Sequence, residues 1–156
     1  MAAILFVSCF VHVTCFRTGR VIDAETGKPI DKAVVCYFWP KYTMLGRAGG
    51  KIYETTTSIN GKYFIPPFII AKMWPFVDVG HETIVIYKDG YAACLNGRSF
   101  YGDKSESRVV NNIVKLHRWR EGVKTHKEHL MFIYFPYGDI NDLLDKELYN
   151  EYSRQP

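Results

Sequence analysis

Over Thr18 to Cys36, TGRVIDAETGKPIDKAVVC, the chain twice enters an apolar run, with a short polar segment between the two. Val21 and Ile22 lead into Asp23, and Ala33 to Val35 resumes the apolar pattern. Between them, Ala24 to Pro29 supplies Thr26-Gly27 and Pro29, residues suited to a reversal because Gly accepts positive φ and Pro fixes its own. The pattern predicts a strand, a turn and a second strand. Near the other end the period changes: Ile140, Leu143, Leu144 and Leu148 fall along one face of a helix that Asp139 would cap and whose first turn Asp142 suits. That face is expected to dock on a sheet.

The N-terminal pattern admits two readings. Residues 1–16, MAAILFVSCFVHVTCF, carry no charged side chain, whereas charges recur at ordinary density from Arg17 onward. Such a break marks a targeting segment, and the stretch is shorter than the ~20 apolar residues of a membrane-spanning helix. A secretory or lipoprotein signal over residues 1–15 is therefore expected. Its acylated cysteine would be Cys15, where the preceding length is adequate, or Cys9, where Val7-Ser8 suits the pattern better. The second reading is an N-terminal strand over Val7 to Thr18, with Val7, Cys9, Val11, Val13 and Cys15 on one face and Ser8, His12, Thr14 and Thr18 on the other. The first places the protein outside the cytoplasm, in the periplasm or at the outer membrane; the second leaves it in the cytoplasm.

Composition narrows the class. A chain of 156 residues suits one domain with a single core. Hydrophobic residues at 47% and aromatics at 15% exclude a disordered chain, and the density of Tyr, Phe, Val and Ile favours strands. No repeat of fixed period appears, and Gly and Pro fall between apolar runs, as in Gly46 to Gly50, read as a flexible loop where specificity would reside.

The wording GRVIDAETGKPIDKAVV resembles the opening of the carboxypeptidase regulatory-like family, small transthyretin-like β-sandwiches. TTTSINGKYFIPPF, Thr55 to Phe68, is similar to that family's second hallmark, a strand, an Asn60-Gly61 turn and a further strand; IVIYKDGYAA, Ile84 to Ala93, is similar to its later strand pair with an Asp89-Gly90 turn. The likeness runs from about Arg17 to Leu116. It implies an all-β, transthyretin-like or Ig-like antiparallel sandwich over residues 16–118, followed by an extension over 119–156 whose amphipathic helix packs on the sandwich. Fold alone does not set activity, because this sandwich serves as an appendage, a receptor extension or a free-standing module.

Candidate chemistry is sparse. His117 to His129, HRWREGVKTHKEH, gathers Arg118, Arg120, Lys124 and Lys127 with three histidines and two acids. His126 and His129, spaced to share a helical face if Thr125 starts a helix, could begin a metal site completed by Glu128 or His117; solvated polar residues are the plainer reading, since stable zinc needs three or four ligands. His81-Glu82 is weaker still. Neither a nucleophile elbow nor the site motifs of transthyretin-like hydrolases and dioxygenases occurs, so no catalytic residue and no cofactor are expected.

If Cys9 and Cys15 are spent on a signal, Cys36 and Cys94 remain as a pair that an oxidising compartment would permit to form a disulfide; the alternative is two buried thiols. Tyr37, Trp39, Tyr42 and Trp74 are candidates for a surface that stacks on sugars or peptides, against the ordinary role of strand aromatics as core. A net charge of +4, its excess lying in Lys104 to Lys127, suits anionic lipid near a membrane better than nucleic acid, no module for which is present, and a solvated face with no partner is the plainer reading. The expected function is a non-catalytic, lipid-anchored module of the cell envelope with a protein, peptide or glycan partner. The alternatives are a small hydrolase or metal-dependent enzyme on the same scaffold, and a structural subunit joined through sandwich edge strands.

Overall fold

The computed structural model describes residues 8–44, 46–74, 77–80, 82–101, 112–120, 122, 125–134, 144, 146 and 149. Their strands form two sheets that face each other across a shared core, an all-β sandwich. The large sheet runs β1 (Ser8–Val13), β6 (Ile69–Trp74), β7 (Val77–Val79), β3 (Val34–Thr43), β8 (Thr83–Tyr87), β9 (Cys94–Leu95), β10 (Arg98–Ser99), with β4 (Gly46–Thr56) on the other flank of β3. In the small sheet β2 (Arg17–Asp23) lies between β5 (Lys62–Ile65), antiparallel to it, and β11 (Ile113–Leu116), parallel to it.

Strand β3 organises the molecule. One edge pairs with β4 and the other with β8 and then β7, and its first seven residues, VVCYFWP, are all buried. Both faces of β3 are covered. Val35, Tyr37 and Trp39 enter the core between the sheets with Val21, Ile65 and Leu116, whereas Val34, Cys36 and Phe38 pack on the far side with Tyr87, Ile133 and Leu144. A strand buried on both faces reads as an unbroken apolar run. Strands β5 and β11, covered on one face only, alternate instead: Tyr63, Ile65, Val114 and Leu116 are buried, while Lys62, Phe64, Ile113 and Lys115 are exposed.

The expected turns form, but two of them are corners between sheets. Asp23 Oδ1 accepts the backbone N–H groups of Glu25 at 2.8 Å and Thr26 at 2.9 Å, and Gly27 adopts φ +68°. This Asx turn leads the chain out of β2 in the small sheet toward β3 in the large one, so the strands it joins do not pair. The Asn60-Gly61 turn likewise carries the chain from β4 to β5. Gly61 has φ +72°, and a Cβ there would stand 2.3 Å from the Val21 carbonyl oxygen, so the corner requires glycine. Thr57 Oγ1 ties the corners together by donating to Ile30 O at 2.7 Å and accepting from Ala33 N–H at 2.8 Å.

Three further expectations are corrected or refined. Gly46 to Gly50 is the opening of β4, not a loop, and Gly50 is small because the Phe38 ring lies over it: a Cβ would come within 2.3 Å. The described helix is α1 (His126–Tyr134), earlier than the one expected from Asp139. Thr125 and Glu128 form its capping box, with Thr125 Oγ1 accepting from Glu128 N–H at 3.2 Å and the Glu128 carboxylate accepting from Thr125 N–H at 2.7 Å. Of the later helix, Leu144, Lys146 and Tyr149 are helical, and Leu144 is buried on the large sheet; Asp139, Ile140, Asp142, Leu143 and Leu148 lie outside the described residues.

Ser8 to Val13, within the stretch expected to be a signal, forms β1 and pairs antiparallel with β6 along its length. Val11 and Val13 share a face, as the alternation gives; that face looks outward, and Thr14 is buried.

Candidate functional site

The accessible chemistry lies on the outward face of the small sheet. Along β2, side chains alternate between core and solvent, which turns Thr18 and Arg20 outward while Val21 and Asp23 are buried. The register places Arg20 directly opposite Lys62, and beside Ile113 on its other flank; Thr18 is opposite Phe64. Lys115 extends the same face along β11. The strand positions of this face carry cations and no carboxylate. Like charges directly across a ladder are unfavourable, so Arg20 and Lys62 sit in a field that an anion would relieve. Arg20 is held by its own bonds, donating from Nε to Asn60 O at 3.0 Å and from its backbone N–H to Asn112 O at 2.8 Å. Beneath these side chains runs an open groove of about 580 Å³, lined by Thr18, Arg20, Lys62, Phe64 and Asn112 among others. Phe16 stacks on Phe64 with ring centroids 6.5 Å apart, extending the groove with exposed aromatic surface.

A second polar constellation surrounds Asp23. Its buried carboxylate accepts four bonds: two from the backbone of its own turn, one from Tyr91 Oη at 2.9 Å and one from Arg118 Nε at 3.1 Å. Burial alone would raise its pKa; the N–H groups of Thr26 and Glu25, the Tyr91 hydroxyl and the Arg118 guanidinium outweigh it and hold the carboxyl far below its ordinary value. A carboxylate so fully engaged is a poor base. It fastens the ends of β2 and β11 to the Asp89-Gly90 turn, where Tyr91 N–H bonds to Lys88 O at 2.9 Å.

Of the histidines expected as metal ligands, His129 has its ring committed to the backbone. His129 is buried under the large sheet, where its Nε2 accepts Ala93 N–H at 2.9 Å and its ring meets Phe100 at 4.7 Å and Trp119 at 4.9 Å. His117 is buried just past β11, and its carbonyl accepts Ala92 N–H at 2.8 Å. Glu128 is engaged in the helix cap, and the side chains of His126 and His81 lie outside the described residues. Among the described residues no three His, Cys, Asp or Glu side chains gather as a metal site.

Cys36 and Cys94 are free thiols on opposite faces of the large sheet, Cys36 beside Val85 and Cys94 beside Ile86, so the pairing that an even count permits is not made. Burial pushes both up to about 12, with Glu54 adding to the effect at Cys36, which leaves them protonated and unreactive at neutral pH. Cys15 is exposed at the bend after β1; Cys9 is in β1, its side chain outside the described ones.

The aromatic surface is also corrected. Tyr37 and Trp39 belong to the inter-sheet core, their rings 4.3 Å apart, because β3 is covered on both faces. Tyr42 is exposed, and the Trp74 side chain lies outside the described residues. Phe64 carries a signal legible in the sequence: in KYFI it shares its parity with Lys62, on the polar side of the strand. Arg20, Lys62 and Lys115 come from three distant segments, and only the register assembles them.

No protein-family model, curated protein or solved structure matches the chain.

Proposed function

We propose that the protein is a non-catalytic binding module of the cell envelope, a sandwich of the carboxypeptidase regulatory-like kind held at a membrane by acylation of an N-terminal cysteine. One observation carries this reading: among the described residues Asp23, His129, Cys36 and Cys94 are committed to the fold, while the accessible side chains of the small sheet suit recognition. Asp23 is saturated by four donors, His129 accepts a backbone N–H, and Cys36 and Cys94 are buried thiols. Arg20, Lys62 and Phe64 instead line an open groove on the small sheet, available to a protein, peptide or glycan with anionic groups.

The pairing of β1 with β6 favours Cys9 over Cys15 as the acylated residue. Processing before Cys15 would remove β1 and leave the backbone groups of Ile69–Trp74 without their partner strand. Intact mass and membrane partitioning of the natively expressed protein test the proposal. A chain beginning at Cys9 or Cys15 with added acyl mass, recovered in the membrane fraction, supports it; an unprocessed mass in the soluble fraction overturns it.

A further inference from the structure

We infer that the outward side of the β1–β6 ribbon and its continuation onto β2 and β5 docks on an anionic phospholipid bilayer. The inference rests on the assignment of this region as the binding surface of an envelope module, and on that surface it puts a lipid bilayer in place of a protein, peptide or glycan.

The surface is one continuous ribbon. β1 and β6 run antiparallel with Val13 opposite Ile69. Where that pair ends, Thr14 N–H bonds to Phe68 O at 2.9 Å and Phe68 N–H bonds to Thr14 Oγ1 at 2.8 Å. The same two segments then bend together into the small sheet as β2 and β5. Inside the bend, Thr14, Ile65 and Ile70 are buried. Outside it, large apolar side chains follow one another: Val11 and Val13 are each 62% exposed, Ile69 69%, Phe16 62% and Phe64 53%. The strip ends at the cations Arg20 and Lys62.

This order of side chains selects a partner. Contiguous apolar exposure on this scale marks an interaction site. Val11, Val13 and Ile69 have neither rings to stack on sugars or bases nor groups to hydrogen-bond, so their complement is hydrocarbon. The adjacent cations complement lipid phosphates, each adding attraction to an anionic surface. A second copy fits less well, since an isologous contact would bring Arg20 and Lys62 of both copies into one interface. No helix among the described residues is long and apolar enough to cross a membrane. Among the described residues β1 pairs with β6 alone, which leaves this ribbon at the margin of the sandwich, where a flat surface can reach it.

Vesicle sedimentation with the full 156-residue chain, produced without acylation, tests the inference. Vesicles of phosphatidylcholine alone are compared with vesicles containing phosphatidylglycerol, at low and high salt. Docking predicts preferential binding to the anionic vesicles, weakened by salt. Lys62→Ala should weaken it roughly fivefold, and Ile69→Ser should weaken it by at least a similar factor. Both substituted positions are exposed, and unchanged thermal unfolding confirms that each variant folds.

Equal affinity for the two vesicle types, or indifference to both substitutions, overturns the inference. So does absence of vesicle binding together with a dimer that Ile69→Ser dissolves, which would assign the strip to a second copy. These failures are distinct from failure of the envelope reading, which is registered in the mass of the native protein and not in the behaviour of the unacylated chain.

Discussion

The two outer faces of the sandwich are finished differently. The large sheet is roofed over β3 and β8 by α1 and Leu144, which bury Val34, Cys36, Phe38, Val85 and Tyr87 and enclose His129. The small sheet has no such roof among the described residues, and its outward side chains, Arg20, Lys62, Phe64 and Ile113, remain in solvent. A residue's consequence therefore depends more on its face than on its type. Phe38 and Phe64 are both strand phenylalanines, one buried and one exposed, and only the first should matter for stability.

That contrast can be tested in descending order of effect. Phe38→Ala should cost about 3–5 kcal/mol, read as a lower urea midpoint at unchanged slope; a cost below about 1 kcal/mol would mean that the roof does not close on β3. Asp23→Asn, at the seam between the sheets, should cost about 2–4 kcal/mol at neutral pH. Because the folded-state pKa of Asp23 is depressed, its contribution is complete above the unfolded carboxylate value near 3.9 and is lost as pH falls below it. Thermal scans from neutral pH to about 3 should accordingly show a steeper acid loss in the natural protein than in the variant, and parallel curves would deny Asp23 that role.

His129→Phe keeps an aromatic ring under the roof but deprives Ala93 N–H of its acceptor, with an expected loss of about 1–3 kcal/mol. Amide exchange at Ala93 should accelerate in this variant, and unchanged protection would show that another acceptor serves. Phe64→Ser on the bare face should change stability by less than about 1 kcal/mol. A larger loss would mean that the Phe16–Phe64 stack supports the fold, which would remove the contrast between the faces.

Legibility in the sequence followed the same division. Strand termini and turn chemistry were readable because Asp23, Thr26-Gly27, Asn60-Gly61 and Asp89-Gly90 act within a few residues of themselves. The sheet that each next strand joins was not, since a sheet-to-sheet corner and a hairpin use the same turn residues. Coverage of β3 was written in VVCYFWP as an unbroken apolar run, yet two of its aromatics, Tyr37 and Trp39, were also weighed as a ligand surface. At β1 the alternation gave the period but not which face is inward, which is set by Thr14 bonding to Phe68 inside the bend, with the valines outward. The cationic cluster was illegible for a simpler reason: Arg20, Lys62 and Lys115 become neighbours only through pairing of three distant strands.

The parallel pairing of β2 with β11 has a kinetic consequence. The partners Asp23 and Arg118 are separated by 95 positions, so β2 leaves the ribosome long before its second neighbour exists. Closing so long a loop is slow, and proteins dominated by such distant pairings fold slowly. Through that interval β2 lacks its β11 neighbour, and Val114 and Leu116 are missing from the inter-sheet core. Substitutions at the Asp23–Arg118 seam should therefore be felt most strongly in cells that synthesise the protein, as aggregation of the waiting chain, even where the finished molecule tolerates them.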